Sequence, residues 1–382
     1  MFVRRSKTLR PGASLSNPET AVKDFSLVKR KRPEPNRRPI PVIFGCAEKS
    51  LTSAEYNFFA DANPFGFILF TRNCEHFDQV RRLVNELRQS VGREDAPILI
   101  DQEGGRVSRL QPPAWHKYPP MRFFGAMYEK DPDVGAAAIE VYARLVANEL
   151  LRMGITVNCA PVVDLFVEGA SNAIGDRAFS RKPMVVAELA RRLAETFLDN
   201  GVMPVVKHIP GHGRLNVDPH HVSPVIAASR MELEADDFVP FELLKDLPIV
   251  MNSHAIFTAL DPDAPASLSS KIHSDIIRGA IGFGGLVFSD DIAMKALYGP
   301  AADRAKGVLA AGADIALHCN GKLEEMEEIA KALQPMNDES WGRWEYAKTM
   351  VKARDASYNP AADVEKLDVL LGGLAYQAQS VG

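Results

Sequence analysis

The segment Lys207-His-Ile-Pro-Gly-His-Gly-Arg-Leu-Asn-Val-Asp-Pro-His220 joins an apolar run to a loop rich in histidine and glycine. The run Pro204–His208 is apolar until it ends in a lysine and a histidine, which is typical of a buried strand with polar residues at its carboxyl end. Glycine and proline follow at once, and they predict a long loop. Within that loop Asp218 and His220 stand two residues apart, so the carboxylate can fix the tautomer of the imidazole for proton transfer.

Seven further runs of this kind flank the segment, and stretches with helical spacing, such as His76–Val91 and Met184–Asn200, separate them. The other runs are Pro41–Gly45, Gly66–Phe70, Pro97–Asp101, Ile155–Ala160, Ile249–His254, Gly285–Asp290 and Asp314–Cys319. Eight such β/α units predict an α/β fold, a single (β/α)₈ barrel of the TIM type. We expect residues 1–39 to form a basic extension, and three C-terminal helices to pack on the outside of the barrel: Leu323–Leu333, Trp341–Arg354 and Ala361–Leu374.

Composition and charge exclude several classes of protein. The formal net charge of −4 argues against a nucleic-acid binder. The basic residues of the first forty positions are not followed by the apolar stretch of a signal peptide, and no apolar run reaches the length of a membrane span. The four cysteines, Cys46, Cys74, Cys159 and Cys319, form no Cys-x-x-Cys pair, so we expect free thiols in a reducing cytoplasm.

The predicted strands end in polar residues, and in a barrel these ends surround the active site. The residues concerned are Asp101, Lys207, His208, Asn252, His254, Asp290 and Asp291. They should converge on one cavity suited to a polyhydroxylated ligand. Asp290 stays in phase with its strand and is placed to attack an electrophilic carbon, whereas Asp291 precedes Ile292-Ala-Met294 and should cap a following helix.

Four segments carry a resemblance to a known family: Asp101–Arg109, Ile174–Arg177, Lys207–His220 and Phe288–Met294. Together they resemble the signature blocks of glycoside hydrolase family 3, and specifically its single-domain bacterial β-N-acetylglucosaminidases. The resemblance extends from Pro41 to Leu333, with the basic N-terminal segment outside it. It implies that the chain is a β-N-acetylhexosaminidase whose catalytic domain is residues 40–382.

The resemblance implies a retaining exo-enzyme that forms a covalent glycosyl intermediate on Asp290. In the family an Asp-Ser-His triplet supplies a histidine as general acid/base, and here the triplet is Asp218-Pro219-His220, with proline in place of serine. The resemblance also assigns five residues to the hydroxyl groups of the non-reducing sugar: Asp101, Arg109, Arg177, Lys207 and His208. We expect neither a cofactor nor a metal ion.

The resemblance further implies a substrate and a location. Relatives remove β-linked N-acetylglucosamine from N-acetylglucosaminyl-anhydromuramyl peptides during cell-wall recycling in the cytoplasm. A neutral histidine repels the carboxylate of muramic acid less than a second carboxylate would. We therefore expect a cytoplasmic monomer with a small carbohydrate substrate, no nucleic-acid partner and no membrane span.

Other functions remain open from the sequence. A phosphorylase or a β-glucosidase would use the same fold, and a histidine acid/base would tolerate phosphate as the attacking group. A barrel that only binds a ligand is a further alternative. A metal-dependent hydrolase would draw on a set of possible ligands. These are His208, His212, Asp218, His220, His221, His254 and His318. His212 is otherwise expected to be structural.

Overall fold

The computed structural model describes residues 37–215, 224–353, 355 and 357–372, and its strands make up one large sheet and two small ones. The strands of this described part are β1 Ile40–Gly45, β2 Pro64–Leu69, β3 Ile98–Ile100, β4 Gln102–Gly104, β5 Val107–Ser108, β6 Val157–Asn158, β7 Met203–Pro204, β8 Val206–Ile209, β9 Val225–Ile226, β10 Ile249–Asn252, β11 Ile256–Phe257, β12 Leu286–Asp291 and β13 Ile315–His318. Each of the eight predicted runs overlaps a strand of the large sheet, and the fifth run contains part of β7 and most of β8.

The large sheet is parallel throughout, in the order β7-β6-β3-β2-β1-β13-β12-β10-β8. Its two end strands, β7 and β8, are separated in the chain by Val205 alone. Beyond β6 the chain stays beside β8, because Lys207 N–H donates to the carbonyl oxygen of Pro161 at 3.0 Å and Val163 N–H donates to that of Lys207 at 2.8 Å. The ends of the sheet therefore meet, and the predicted α/β fold is confirmed as a nearly closed barrel of parallel strands.

Helices connect the strands, as the spacing predicts. The α-helices are α1 Ser53–Ala62, α2 Phe77–Val91, α3 Met121–Lys130, α4 Pro132–Arg152, α5 Pro183–Asp199, α6 Arg230–Glu232, α7 Val239–Leu243, α8 Ala301–Ala311, α9 Leu323–Ala332, α10 Asp338–Met350 and α11 Ala361–Leu370. Leu233–Asp237 and Ile272–Ala280 are π-helical, and Thr71–Asn73, Gly175–Arg177 and Ala266–Leu268 are 3₁₀ turns.

Sequence features explain where helix α2 begins and ends and which side it buries. His76 caps it by accepting the Gln79 N–H, and Gly92, with φ of 63°, ends it. Its side toward the barrel is a stripe of buried residues: Val80, Leu83, Val84 and Leu87. Amphipathic helices of this kind exclude water from the outer face of the sheet, as parallel sheets require.

The last helices lie against earlier parts of the chain. The Trp344 ring of α10 packs edge-on against Phe65 of β2, with ring centroids 4.9 Å apart. Asp363 of α11 forms an ion pair with Arg144 of α4. The distance between Arg144 Nε and Asp363 Oδ2 is 2.7 Å. The four cysteines are free thiols, as predicted. No helix within the described ranges combines the length and the apolar character needed to cross a bilayer.

Candidate active site

The carboxyl ends of the barrel strands surround a cavity of about 280 Å³. Seven residues named from the sequence line it: Asp101, Arg109, Arg177, Lys207, His208, Asp290 and Asp291. Asn252 and His254, which were also expected there, are not part of the lining. The chain segments that carry the seven residues lie up to 190 positions apart in the sequence, from Asp101 to Asp291. The barrel therefore brings these side chains together as the strand-end argument predicts.

A short hairpin brings Arg109 back to Asp101. Strands β4 and β5 pair antiparallel, and the turn between them contains Gly105 with φ of 58°. A Cβ atom at Gly105 would lie 2.7 Å from Cβ of Pro120. Both this close contact and the positive φ therefore require glycine at this position. The Arg109 N–H then donates to the carbonyl oxygen of Asp101 at 3.2 Å, and Arg109 Nη2 lies 3.0 Å from Asp101 Oδ2.

Lys207 lies at the centre of a buried charge network. Its Nζ is 2.8 Å from Asp101 Oδ1 and 2.6 Å from Glu103 Oε1. Glu103 also accepts two hydrogen bonds from Arg177, both of 2.9 Å, from Nε and Nη2. Bidentate contacts between guanidinium and carboxylate groups fix orientation as well as charge. The network therefore holds the cations of the cavity in defined positions.

The pKa values in this network are shifted by burial and by the opposite charges, and the charges prevail. Burial alone would raise the pKa of Asp101, but Lys207 and Arg109 hold it well below its usual range. Burial also opposes the lowered pKa of Glu103, for which Lys207 and Arg177 are responsible. Burial would lower the pKa of Lys207, and the two carboxylates raise it instead. All of these groups are therefore ionised at neutral pH.

His208 is oriented by Asp164, a carboxylate that the strand-end argument did not identify. Its Nδ1 lies 2.7 Å from Asp164 Oδ2, so Nδ1 carries a proton and donates it. Asp164 Oδ1 accepts the backbone N–H of His212 at 2.6 Å. His212 is buried, with Nδ1 3.0 Å from Ser253 Oγ, and burial followed by the neighbouring His208 lowers its pKa to about 4. These contacts fit a structural role for His212.

Asp290 ends β12 beside the cavity, and its backbone is fixed from β10. The Asp290 N–H donates to Asn252 Oδ1 at 3.3 Å. Within the described ranges, its carboxylate accepts one hydrogen bond, from the Asp291 N–H to Oδ1 at 2.8 Å. Burial would raise the pKa of Asp290, but the imidazoles of His254 and His208 lower it. Asp290 is therefore an ionised carboxylate whose Oδ2 has no protein donor in that part of the chain.

His254 contacts the backbone of Asp291, the residue that follows Asp290. Its Nε2 lies 3.1 Å from the carbonyl oxygen of Asp291, and its Nδ1 lies 2.7 Å from Ser267 Oγ. Because a carbonyl oxygen only accepts, Nε2 carries the proton and Nδ1 accepts from the hydroxyl. Burial lowers the pKa of His254. His254 therefore positions the backbone next to Asp290.

The expectation that Asp291 caps a helix is wrong. Residues 292–297 form turns, and the next helix, α8, begins at Ala301. Asp291 Oδ1 instead accepts the N–H groups of Ala293 at 2.9 Å and Cys319 at 3.1 Å, which joins β12 to the end of β13. Its short side chain satisfies backbone donors locally, as aspartate does in turns. The carboxylate of Asp291 is thus occupied by backbone N–H groups, whereas Oδ2 of Asp290 accepts no hydrogen bond from the described residues.

Asp218, Pro219, His220 and His221 lie outside the described residues. The described residues next to this segment are Leu215 and Pro224. The carbonyl oxygen of Leu215 accepts the Ser171 N–H at 2.9 Å, and that of Pro224 accepts the Ile256 N–H at 2.9 Å.

Comparison with known proteins identifies the family. Residues 15–340 match the glycosyl hydrolase family 3 N terminal domain. The chain belongs to this family. The match confirms the resemblance predicted from the four segments, and it is wider than predicted, since it begins at residue 15 instead of Pro41. Part of the basic segment is thus included, contrary to expectation.

Relatives of similar length support the assignment to family 3. The Beta-hexosaminidase of Nitrosomonas eutropha is 36% identical over 301 residues, which cover 77% of this chain and 84% of the relative. The Beta-hexosaminidase of Aromatoleum aromaticum is 35% identical over 324 residues, which cover 83% of this chain and 90% of the relative.

Solved structures of family 3 proteins have the same fold. NagZ from Neisseria gonorrhoeae in complex with N-trifluoroacetyl-D-glucosamine superposes with a TM-score of 0.78 at 32% identity, over 88% of this chain and 98% of that one. Native NagZ from the same organism gives a TM-score of 0.77 at 32% identity, over 90% of this chain and 100% of that one.

Sequence reasoning about this family 3 chain missed two carboxylates of the site. Glu103 lies within the segment Asp101–Arg109, but it follows the end of its strand by three positions, and the hairpin turns it back to the cavity. Asp164 ends an apolar run that continues past the predicted strand Ile155–Ala160 through Val162 and Val163. The signal for Asp164 was the length of this run, which the proline at position 161 obscured.

The metal-dependent alternative gains no support from the geometry of the described histidines. The ring of His208 is bonded to Asp164 and that of His254 to Ser267. His318 is fully buried, 3.5 Å from Glu325, and does not line the cavity. Among the residues that the structure describes, no three side chains of the metal-binding types are grouped closely enough to hold an ion.

Proposed function

We propose that this chain is a β-N-acetylhexosaminidase that removes terminal β-linked N-acetylglucosamine from the non-reducing end of its substrate. The observation that carries the proposal is an ionised carboxylate, Asp290, facing a fixed set of buried charges in one cavity. The cavity, of about 280 Å³, is near the lower limit of ligand pockets, about 300–1,000 Å³. It suits one sugar ring, as an exo-enzyme requires. The names of the relatives and the glucosamine ligand of the NagZ complex support this sugar.

Asp290 is the proposed nucleophile. Its carboxylate attacks the anomeric carbon, the bond to the leaving oxygen breaks, and a covalent glycosyl-aspartate forms; water then releases the sugar with overall retention. Asp290 Oδ2 accepts no hydrogen bond from the described residues, so it suits the attack, whereas Asp291 is bonded to two backbone N–H groups. A second group on the opposite face must protonate the leaving oxygen.

The proposed general acid/base is His220, with Asp218 as its partner. These residues belong to the segment outside the described ranges, so their support is the sequence spacing and the family pattern. Pro219 replaces the usual serine between them. In this proposal Asp218 accepts from one ring nitrogen, while the other nitrogen donates to the leaving oxygen and then deprotonates water.

The remaining donors of the charge network are proposed to hold the sugar hydroxyl groups. A guanidinium has five N–H donors, and Arg177 uses three, two on Glu103 and one on the Ala173 carbonyl oxygen. Lys207 uses two of three on carboxylates. Two N–H groups of Arg177 and one of Lys207 are then available, together with Asp101, Arg109 and His208, which also line the cavity.

We propose that the natural substrates are N-acetylglucosaminyl-anhydromuramyl peptides, cleaved in the cytoplasm by a monomer. The family resemblance supports this substrate class, and the relatives' name, Beta-hexosaminidase, supports a hexosaminide substrate. We also propose that β7 and β8 together form one strand of the barrel, because Val205 alone separates them. The sheet then has the eight strands of a (β/α)₈ barrel, preceded by the basic extension of residues 1–39.

The test compares p-nitrophenyl N-acetyl-β-glucosaminide with p-nitrophenyl β-glucoside, each with and without inorganic phosphate. We expect cleavage of the N-acetyl substrate alone, at a rate independent of phosphate, with N-acetylglucosamine as product. Preference for the glucoside would identify a β-glucosidase. A requirement for phosphate, with a sugar 1-phosphate as product, would identify a phosphorylase. Binding of N-acetylglucosamine without turnover of either substrate would refute an enzymatic function.

A further inference from the structure

Arg106, at the tip of the β4–β5 hairpin, contacts four acceptor oxygens of one short segment. Its Nε donates to Asp176 Oδ1 at 2.8 Å. Its Nη2 lies within reach of three successive carbonyl oxygens: Asn172 at 2.6 Å, Ala173 at 2.9 Å and Ile174 at 3.1 Å. Arg106 is 43% exposed at its side chain, but a guanidinium that contacts three backbone carbonyl oxygens as well as a carboxylate restrains the backbone at several points, unlike a single surface ion pair.

The restrained segment leads directly into Arg177, which lines the cavity. Arg177 Nη1 donates to the Ala173 carbonyl oxygen at 3.0 Å, the same oxygen that Arg106 contacts. The Arg177 N–H donates to the Ile174 carbonyl oxygen at 2.9 Å, which is also a contact of Arg106. Two of the atoms that orient Arg177 are thus held by Arg106.

The segment is tightly turned, which makes its position sensitive to this support. Gly175 has φ of 47°, and a Cβ atom there would lie 2.2 Å from Asn172 Oδ1. The cavity end of Arg177 is bonded to Glu103, on the same hairpin as Arg106. The hairpin therefore contacts Arg177 at its side chain through Glu103 and at its backbone through Arg106.

We propose that Arg106 is a positioning residue that fixes the two remaining N–H groups of Arg177 toward the sugar. The role in sugar binding rests on the proposed function, whereas the restraint of the segment does not. Arg106 itself is not among the residues that line the cavity. Its effect on the reaction passes through Arg177.

The kinetic test uses Arg106→Ala with Arg181→Ala as matched control. Arg181 forms a surface ion pair with Glu168 and is 52% exposed at its side chain. We expect Arg106→Ala to lower kcat/KM by about tenfold or more, mainly through a higher KM, since small misplacement of a binding group costs up to about 100-fold. Arg106→Ala added to Arg177→Ala should cost little further. A lower kcat at unchanged KM, or additive losses in the double variant, would overturn the positioning role.

A second test needs no turnover. Amide hydrogen exchange of the peptide that contains residues 172–178 should be about tenfold faster in Arg106→Ala than in wild type or Arg181→Ala, because one charge-assisted contact set is lost. Asp176→Asn should remain near wild type, since it keeps the contacts between Arg106 Nη2 and the three carbonyl oxygens. Unchanged exchange in Arg106→Ala overturns the proposed restraint, and so does an Asp176→Asn variant as fast as Arg106→Ala. If wild type shows no glycosidase activity while Arg106→Ala exchanges faster, the proposed function fails and the restraint stands.

Discussion

The substitution Glu103→Gln tests the buried charge network with a side chain of almost the same shape. Glu103 is 2% exposed and makes three charge-assisted contacts, an ion pair with Lys207 and two hydrogen bonds from Arg177. Oε1 receives the Lys207 Nζ and the Arg177 Nη2, and Oε2 receives the Arg177 Nε. Glutamine keeps one oxygen at the Oε1 position but turns an NH₂ group toward a guanidinium N–H.

The expected loss follows from these contacts. Two of the three contacts survive to a neutral acceptor, the third becomes a clash between donors, and two buried cations lose one of their counter-charges. Breaking a buried ion pair by removing one partner costs about 3–5 kcal/mol. Because Asp101 still neutralises Lys207, we expect the lower end, a loss of about 3 kcal/mol in the free energy of unfolding.

Urea unfolding followed by tryptophan fluorescence measures this loss. The matched control is Glu168→Gln, which removes the acidic partner of Arg181 where the side chain is 78% exposed. Exposed ion pairs contribute about 0–1 kcal/mol, so the control should unfold like wild type. If Glu103→Gln and Glu168→Gln have the same stability, the network does not stabilise the barrel and the reasoning about Glu103 is wrong.

Four further outcomes are expected. Asp290→Asn should lower kcat on an aryl N-acetylglucosaminide by on the order of 10⁴-fold or more, as removal of a nucleophile does; steady-state kinetics showing a loss below about tenfold would remove Asp290 from that role. His220→Ala should slow cleavage of substrates with poor leaving groups more than that of substrates with good ones, and equal losses across a series of aryl glycosides would contradict its role as the acid. The pKa of Glu103 is lowered in the folded protein, so its contribution to stability is present above the unfolded pKa near 4.5 and is lost as pH falls through the folded pKa. Urea unfolding between pH 7 and pH 3 should therefore show a steeper loss of unfolding free energy in wild type than in Glu103→Gln. Parallel plots of unfolding free energy against pH would contradict this linkage. Gly213→Ala should destabilise the protein by about 1–3 kcal/mol, because the new Cβ would lie 2.2 Å from the Leu165 carbonyl oxygen. Gly284→Ala, with open space around it, should not destabilise the protein. Equal urea midpoints for the two variants would show that the backbone around Gly213 moves to accommodate the methyl group.

The barrel strands were predictable because burial on both faces leaves a continuous apolar run in the sequence. The run Pro97–Asp101 predicted β3 within one residue at each end, for example. The hairpin β4–β5 was not predicted, since its residues Gln102–Ser108 have neither apolar alternation nor an Asn-Gly turn. Its two glycines permit the turn, and contacts with a later segment hold it, since the Gly105 N–H donates to the Tyr118 carbonyl oxygen at 3.0 Å and Gly105 packs against Pro120.

The site residues were predictable where a strand delivers them and missed where a loop does. Lys207 and Asp290 lie in strands, so the phase of the strand placed both. Asp164 depends on a chain that stays extended after Pro161, beside β8, which is a long-range pairing that local sequence does not encode. The prediction of a helix after Asp291 was wrong for a similar reason. The N–H of Cys319, at the end of another strand, donates a hydrogen bond to the Asp291 carboxylate.

The segment Met203–Ile209 is where the barrel closes, and this has a consequence for folding. Its first part pairs with β6 and its last part with β10, so neither pairing alone completes the sheet. Lys207, the central cation of the cavity, lies in the closing half. A chain that has not closed its sheet therefore cannot assemble the charge network, and ligand binding becomes a reporter of closure. When refolding is monitored with two probes, recovery of sugar binding and the circular dichroism of the backbone, both should give the same rate, because pocket and barrel form in the same cooperative step.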